Sequence, residues 1–247
     1  MKKVLPSSLP PKPTSRKVTE LISSLVIVLT IVALAFVTGV TVPQDNSTAS
    51  VGNFAIYKGN AERGGAALMF NVYEGSDIVM EILSILRKYS AKATFFIGGI
   101  WAENNRETLT LISEAGQELG CHGYLHKDHA KLSVEQNKEE IVKTNRLVKE
   151  ITGKTVTLFA PPSGSFGENT EKACRALGQK MILWTKDTID WRDADPALLV
   201  KRATKDIASG DLILMHPKAQ TVKALPEIIE AYQNASISLL TVSEVIG

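Results

Sequence analysis

Three of the four histidines in this 247-residue chain, His122, His126 and His129, lie within eight positions. His122 and His126 are spaced i, i+4, so on a helical turn both imidazoles would face the same side. That arrangement commonly holds Zn²⁺ or a similar divalent ion. The alternative is a polar turn with surface histidines. The clustering favours metal binding or catalysis by His122 and His126, whereas His129 could join them or be incidental.

A second group of reactive side chains follows later in the chain. His216 comes directly after the apolar run "DLILM", and Asp187 and Asp190 lie in "DTIDW". A carboxylate that accepts a hydrogen bond from a histidine fixes its tautomer and stabilises its protonated form, as an acid catalyst requires. We therefore predict that His216 is a catalytic acid, with Asp187 or Asp190 as its partner. Either aspartate could instead be a helix cap or a turn residue.

The elements that must position these residues alternate between short apolar runs and helical patterns. "AALMFNV" predicts a strand and "SDIVMEILSILRKYS" an amphipathic helix. "SVEQNKEEIVKTNRLVKEITG" predicts a long helix that begins at Ser133 with a capping box and ends at Gly153. This alternation predicts an α/β fold, a distorted (β/α) barrel of about seven parallel strands. Active sites of such folds lie at the carboxyl ends of the strands, and the polar residues do follow the apolar runs.

Several motifs in order resemble the polysaccharide deacetylase (NodB-homology, carbohydrate esterase family 4) domain: "KATFFIGG", "ELGCHGYLH", "FAPPSG", "WTKDTIDWRD" and "DLILMHP". The resemblance covers roughly residues 66–246. It implies a distorted barrel and a divalent-metal hydrolase that removes N-acetyl groups from glycans such as peptidoglycan or chitin-like chains. In that family an HxxxH motif and an aspartate hold the metal. A neighbouring aspartate, oriented by an arginine, is the general base, and a late histidine paired with an aspartate is the general acid.

Transferred residue by residue, the resemblance assigns His122 and His126 to the metal, with zinc as the expected ion. It assigns His216 to the general acid, with Asp187 or, with less support, Asp190 as its partner. It also implies a substrate groove lined by Pro161, Pro162, Ser163, Asp190 and Trp191.

The first motif departs from the family pattern, because the family's "TFDDG" falls on "MFNVY". Asn71 stands where the base belongs, Val72 where the metal aspartate belongs, and Ala160 where the arginine is expected. A carboxamide is not basic near neutral pH, although Asn71 could still position a water. Glu74 and Asp77 follow in the next loop and are candidates for a third metal ligand or a substitute base. Their ordinary roles would be a solvated loop charge and a helix cap.

Two main hypotheses follow. The leading one is a metal-dependent N-deacetylase acting on cell-wall or chitin-like glycans, with weak or altered activity because the base and one metal aspartate are replaced. The alternative is a non-catalytic glycan-binding protein on the same fold, since fold does not fix function. A structural partner in the cell envelope is a third reading.

The N-terminal region predicts attachment to a membrane. Residues 1–20 form a basic, Pro/Ser-rich tail, and residues 21–42 carry no charge over a length of roughly 33 Å, enough to cross a bilayer. By the positive-inside rule the tail is cytoplasmic, and a linker (43–53) leads to an extracytoplasmic domain (54–247). The competing reading is a cleaved signal peptide and a secreted protein, because Ala33–Ala35 ("ALA") resembles a cleavage site.

Charge and cysteine content exclude other classes. Residues 1–20 hold five of the 28 basic residues and one of the 26 acidic residues, so the remainder carries a net charge of −2. The sequence therefore has no basic patch of the kind that would indicate nucleic-acid binding. Cys121 and Cys174 are too few for a disulfide scaffold, and they could form one bridge or remain buried thiols.

Overall fold

The central strand of the fold, β1 (Gly65–Val72), is buried along its whole length. The computed structural model describes residues 54–247. The predicted tail (1–20), membrane anchor (21–42) and linker (43–53) lie outside the described residues. The other strands are β2 (Ala93–Ile97), β3 (Glu118–Cys121), β4 (Leu158–Phe159), β5 (Lys180–Met181), β6 (Lys186–Asp187), β7 (Leu212–Met215) and β8 (Ser238–Leu240).

Helices follow most of these strands along the chain. They are α1 (Ser76–Lys88), α2 (Gly99–Asn104), α3 (Arg106–Glu114), α4 (Val134–Thr152), α5 (Glu168–Ala176), α6 (Pro196–Thr204), α7 (Ala219–Asn234) and α8 (Val242–Ile246). Short 3-10 turns lie at Ala61–Arg63, His129–Lys131 and Pro162–Gly164.

The strands of the described region form one parallel sheet. Seven of them follow the order β5-β4-β3-β2-β1-β7-β6, and β8 pairs with the first residues of β1. Ile56 adds a parallel bridge to Ile182, at the outer edge of β5. A curved parallel sheet with helices around it agrees with the predicted distorted (β/α) barrel.

The two faces of β1 pack into different apolar cores. Leu68, Phe70 and Val72 join the larger core, which contains helix residues such as Ile82. Ala67 and Met69 alternate with them and join a smaller core with Phe96, Leu158 and Leu212 from neighbouring strands. Successive side chains of a strand point to opposite faces, so Asn71 continues the second series at the carboxyl end of β1.

Helix α4 shows the predicted local signals. Ser133 Oγ accepts a hydrogen bond from the backbone N–H of Gln136, and the side-chain oxygen of Gln136 accepts one from the backbone N–H of Ser133. At the other end Gly153 adopts a left-handed conformation (φ 72°), which glycine tolerates without steric cost. The capping box and the glycine stop are both confirmed.

Some elements differ from expectation. The short strand β6, which contains Asp187, and the helices α2 and α8 were not predicted. Cys121 and Cys174 are both buried and unpaired, and burial raises the pKa of each thiol to about 12. Among residues 54–247 we find no helix both long and apolar enough to cross a membrane.

Candidate functional site

A cavity of about 460 Å³ opens at the carboxyl ends of the strands, a size typical of small-molecule sites. It brings together residues from the segments after β1, β3, β4 and β7 and from the β5–β6 region. The lining residues are Asn71, Tyr73, His122, His126, Ser163, Trp184, Asp187, Trp191, Leu214, His216 and Lys218.

The segment that carries the two histidines is a loop and not the helical turn expected from their spacing. Gly123 (φ 74°) and His126 (φ 54°) are both left-handed, which a right-handed helix excludes. The side chain of Glu140, buried on α4, accepts hydrogen bonds from the backbone N–H groups of Tyr124 (2.8 Å) and Leu125 (2.7 Å). Helix α4 therefore holds the loop between the two histidines through one carboxylate.

His122 and His126 nevertheless lie side by side. Their ring centroids are 5.1 Å apart, and His122 Nδ1 lies 2.8 Å from the carbonyl oxygen of Ala160. A carbonyl only accepts, so this nitrogen carries the proton and Nε2 is left as the acceptor. Desolvation by burial lowers the pKa of both rings, and they are therefore neutral at physiological pH.

His129 takes no part in this pair. It is buried in the 3-10 turn before α4, its Nδ1 lies 2.7 Å from the Oδ1 of Asn137, and its ring packs on Phe159. These contacts make it part of the structural support of the histidine loop.

The carboxylates predicted as third metal ligands are not beside the histidine pair. Glu74 is paired with Lys218, and Asp77 is exposed in the first turn of α1. Val72 is fully buried in the larger apolar core. Within residues 54–247 no group of three or more His, Cys, Asp or Glu side chains could hold a metal ion. Asp187 lines the same cavity but does not complete such a group. The histidine pair without an adjoining carboxylate does not fit the metal site that the resemblance implies.

Tyr73 occupies the centre of the cavity. Its ring centroid lies 4.4 Å from that of His126 and 6.1 Å from those of His122 and His216. Desolvation by burial, with a smaller effect of the nearby Glu74, raises the pKa of the phenol, so that it stays uncharged. The side chain remains 36% exposed and faces any molecule that enters the cavity.

The partner of His216 is Asp190, and not Asp187 as the sequence favoured. Asp190 Oδ1 accepts a hydrogen bond from His216 Nδ1 (2.7 Å), and Oδ2 accepts from the backbone N–H of His216 and from Thr221 Oγ1 (both 2.6 Å). Asp190 is completely buried, so it supports His216 and does not line the substrate groove. Asp187 lines the cavity instead, and desolvation raises the pKa of its carboxyl group.

Asn71 is 3% exposed, and its Oδ1 has no hydrogen-bond partner among residues 54–247. Buried polar atoms of side chains are rarely left unpaired, because an unmade hydrogen bond costs about 1–3 kcal/mol. Asn71 therefore adds a polar side chain, with its carboxamide oxygen buried and unpaired, to the wall of the cavity.

Aromatic and small side chains form the remaining walls. Trp191 is 54% exposed and Ser163 is exposed at the rim, as expected for groove residues, whereas Pro161 and Pro162 are buried beneath it. Gly164, also left-handed, approaches the Trp184 ring so closely that an added Cβ would lie 2.8 Å from it. The glycine of "PPSG" thus allows Trp184 to line the cavity.

Four lining residues were not predicted from the sequence: Tyr73, Trp184, Leu214 and Lys218. Tyr73 carried a signal, since it stands where the motif "TFDDG" has its glycine. Lys218 lies two residues after His216 and could have been noticed for that reason. Trp184 and Leu214 lie within apolar runs typical of core strands.

Comparisons of this chain with family models, curated proteins and solved structures point to one family. A family model described as polysaccharide deacetylase matches residues 58–182. Bacillus subtilis YlxY, an uncharacterized protein, is 36% identical over 189 residues, which cover 76% of this chain and 59% of YlxY. The peptidoglycan-N-acetylmuramic acid deacetylase PdaC of Bacillus subtilis is 30% identical over 72% of this chain and 38% of PdaC. The chain thus spans less than two thirds of these two relatives.

Among solved structures, BA3943 from Bacillus anthracis, described as a CE4 family pseudoenzyme, is similar with a TM-score of 0.76 and 35% identity. The match covers 78% of this chain and 69% of that one. A BA3943 mutant with restored enzymatic activity gives the same TM-score at 33% identity, covering 78% and 71% of the two chains.

Proposed function

The chain belongs to the polysaccharide deacetylase family, and on this premise we propose that it binds N-acetylated glycans without hydrolysing them. The expected ligand is peptidoglycan or a chitin-like chain, the class of substrate named for relatives such as PdaC. We further propose that residues 21–42 anchor the chain in the cell membrane and that residues 54–247 lie outside the cytoplasm, where such glycans are found.

One observation carries this proposal: the cavity is intact, but the residues that would activate water in it are replaced. Asn71, a carboxamide, cannot accept the proton of an attacking water. His122 and His126 have no carboxylate beside them to complete a metal site in the described region. The similarity to a pseudoenzyme of the same family supports the same conclusion.

The residues that remain are suited to hold a sugar. Tyr73, Trp184 and Trp191 offer aromatic side chains, and Asn71 offers a polar carboxamide in the cavity wall. His216, held by Asp190, presents its second ring nitrogen on the side away from the carboxylate. Aromatic walls with a few fixed polar groups are the usual composition of small-molecule sites.

The proposal is tested by calorimetry with the full chain in detergent and a tetramer of N-acetylglucosamine. We expect binding that a chelator leaves unchanged, together with no release of acetate on prolonged incubation. Trp191→Ala should weaken binding, and Met80→Ala, a substitution of an exposed residue on α1 outside the cavity, is the matched control. Failure to bind the tetramer or a peptidoglycan fragment would refute the proposal.

The second candidate function is the metal-dependent N-deacetylase expected from the sequence. One observation favours it: the His216–Asp190 pair is intact, and Asp187 offers a carboxylate of raised pKa in the same cavity as His122 and His126. This function predicts acetate release that a chelator stops and that His216→Ala abolishes. The acetate assay therefore separates the two functions.

A further inference from the structure

Tyr73 stands at the one position of the first motif whose replacement adds a large side chain to the cavity. The family motif has glycine there, whereas this chain places an aromatic ring against His126 at a centroid distance of 4.4 Å. That distance is within the range of direct ring packing. The open side of the histidine pair is thus in contact with an aromatic ring.

The histidines themselves keep a spacing suited to an ion. With nitrogen–zinc distances of about 2.0–2.1 Å, two imidazoles on a tetrahedral ion have ring centroids about 5 Å apart. The observed separation of 5.1 Å matches this value. The ring of Tyr73 lies 4.4 Å from His126 and 6.1 Å from His122, so it is next to both histidines that a metal would join.

We propose that Tyr73 takes the place of the metal: its ring contacts the bound sugar and keeps divalent ions away from His122 and His126. The ligand half of this inference rests on the proposed glycan binding, and the metal half does not. The side chain of Asn71, two residues earlier in the chain and in the wall of the same cavity, supplies the polar contact beside the ring. An uncharged acetamido sugar has both the apolar face and the hydrogen-bonding groups that this pair requires.

The metal half is tested by titrating zinc into the full chain in detergent, with a chromophoric chelator as competitor. Tyr73→Ala should bind zinc about tenfold more tightly than the wild type, since removing the ring opens the histidine pair. Adding His126→Ala to this variant should abolish the gain. Tyr73→Phe should behave as the wild type, because the ring and not the hydroxyl excludes the ion.

The ligand half is tested with the N-acetylglucosamine tetramer. Tyr73→Ala should weaken binding about tenfold, the loss typical of a truncated aromatic anchor. Tyr57→Ala is the matched control, because Tyr57 is a tyrosine 42% exposed and outside the cavity. Thermal unfolding of each variant verifies that it is folded. Because the Tyr73 side chain is partly exposed, we expect the fold to tolerate its removal.

The outcomes are distinguishable. Equal zinc affinity of the wild type and Tyr73→Ala, or unchanged tetramer affinity in Tyr73→Ala, would overturn the inference. If the wild type binds no glycan at all, the proposed function fails, and the zinc titration alone decides whether Tyr73 excludes the ion.

Discussion

The buried carboxylate of Asp190 should be among the most sensitive groups of the domain. It is 0% exposed and accepts three hydrogen bonds, from the side chain and the backbone of His216 and from Thr221. Asp190→Ala would leave all three donors without their partner. An unpaired buried donor costs about 1–3 kcal/mol. With three donors left unpaired, we expect the free energy of unfolding to fall by about 3 kcal/mol, roughly 1 kcal/mol for each donor.

Asp190→Asn provides a sharper comparison than Asp190→Ala because asparagine keeps the shape of the aspartate side chain. Its oxygen can still accept from the backbone of His216 and from Thr221, and only the contact with His216 Nδ1 changes. The new amide group is a donor, so Nδ1 must lose its proton and accept, which moves the proton to Nε2. We expect a loss of about 1–2 kcal/mol, the scale of one exchanged hydrogen bond.

Urea unfolding measures the two free energies, and ¹⁵N NMR of the imidazole identifies the protonated nitrogen. Thr221→Val, which removes one of the three donors, is the control and should fall between the wild type and Asp190→Ala. The reasoning is refuted if Asp190→Ala lowers the free energy of unfolding by less than about 1 kcal/mol, because a loss that small is ordinary for a single substitution. It is equally refuted if Nδ1 remains protonated in Asp190→Asn.

Three further predictions concern the surroundings of the cavity. Hydrogen bonds from Leu125, Lys127 and Tyr124 outweigh desolvation and lower the pKa of Glu140 from 4.5. The stabilisation by the Glu140 carboxylate is therefore present above pH 4.5 and is lost as the pH falls through the lowered pKa. In urea titrations, the difference in unfolding free energy between the wild type and Glu140→Gln should shrink from pH 7 to about pH 3. Trp191→Ala should leave the melting temperature unchanged but weaken tetramer binding about tenfold by calorimetry, because the ring is exposed at the rim. Val72→Asp should lower the unfolding free energy by at least about 2 kcal/mol in the same urea assay, because it buries a carboxylate in the larger core.

The barrel and the place of its site were predictable because they depend on periodicity. Strand runs such as "AALMFNV" and the capped helix α4 carry strong local signals, and parallel strands bring their carboxyl ends to one edge. The sequence alone therefore places His122, His126 and His216 at the same edge of the sheet. The family resemblance added the expected role of each residue.

The partner of His216 and the shape of the histidine loop were not revealed by the sequence, because both depend on single backbone angles. Asp187 and Asp190 look equivalent in "DTIDW", but Ile189 between them adopts a left-handed conformation (φ 57°) and turns the chain. Asp190 then enters the interior below His216, while Asp187 stays at the cavity wall. The histidine loop was misread for a related reason, since the i, i+4 spacing indicates a helix, whereas Gly123 and the carboxylate of Glu140 fix an irregular loop.

The replacements in the cavity are mutually consistent in their charges. With Asn71 in place of the base carboxylate, an arginine at position 160 would lack its ionic partner, and the chain has a fully buried alanine there. The carbonyl oxygen of Ala160 still accepts the hydrogen bond of His122. Lys218 is neutralised by Glu74, and the cavity histidines His122 and His126 are uncharged at physiological pH. The paired Lys218, the uncharged His122 and His126 and the carboxyl group of Asp187 together offer little positive charge to an oxyanion of amide hydrolysis, which is consistent with the proposed binding without hydrolysis.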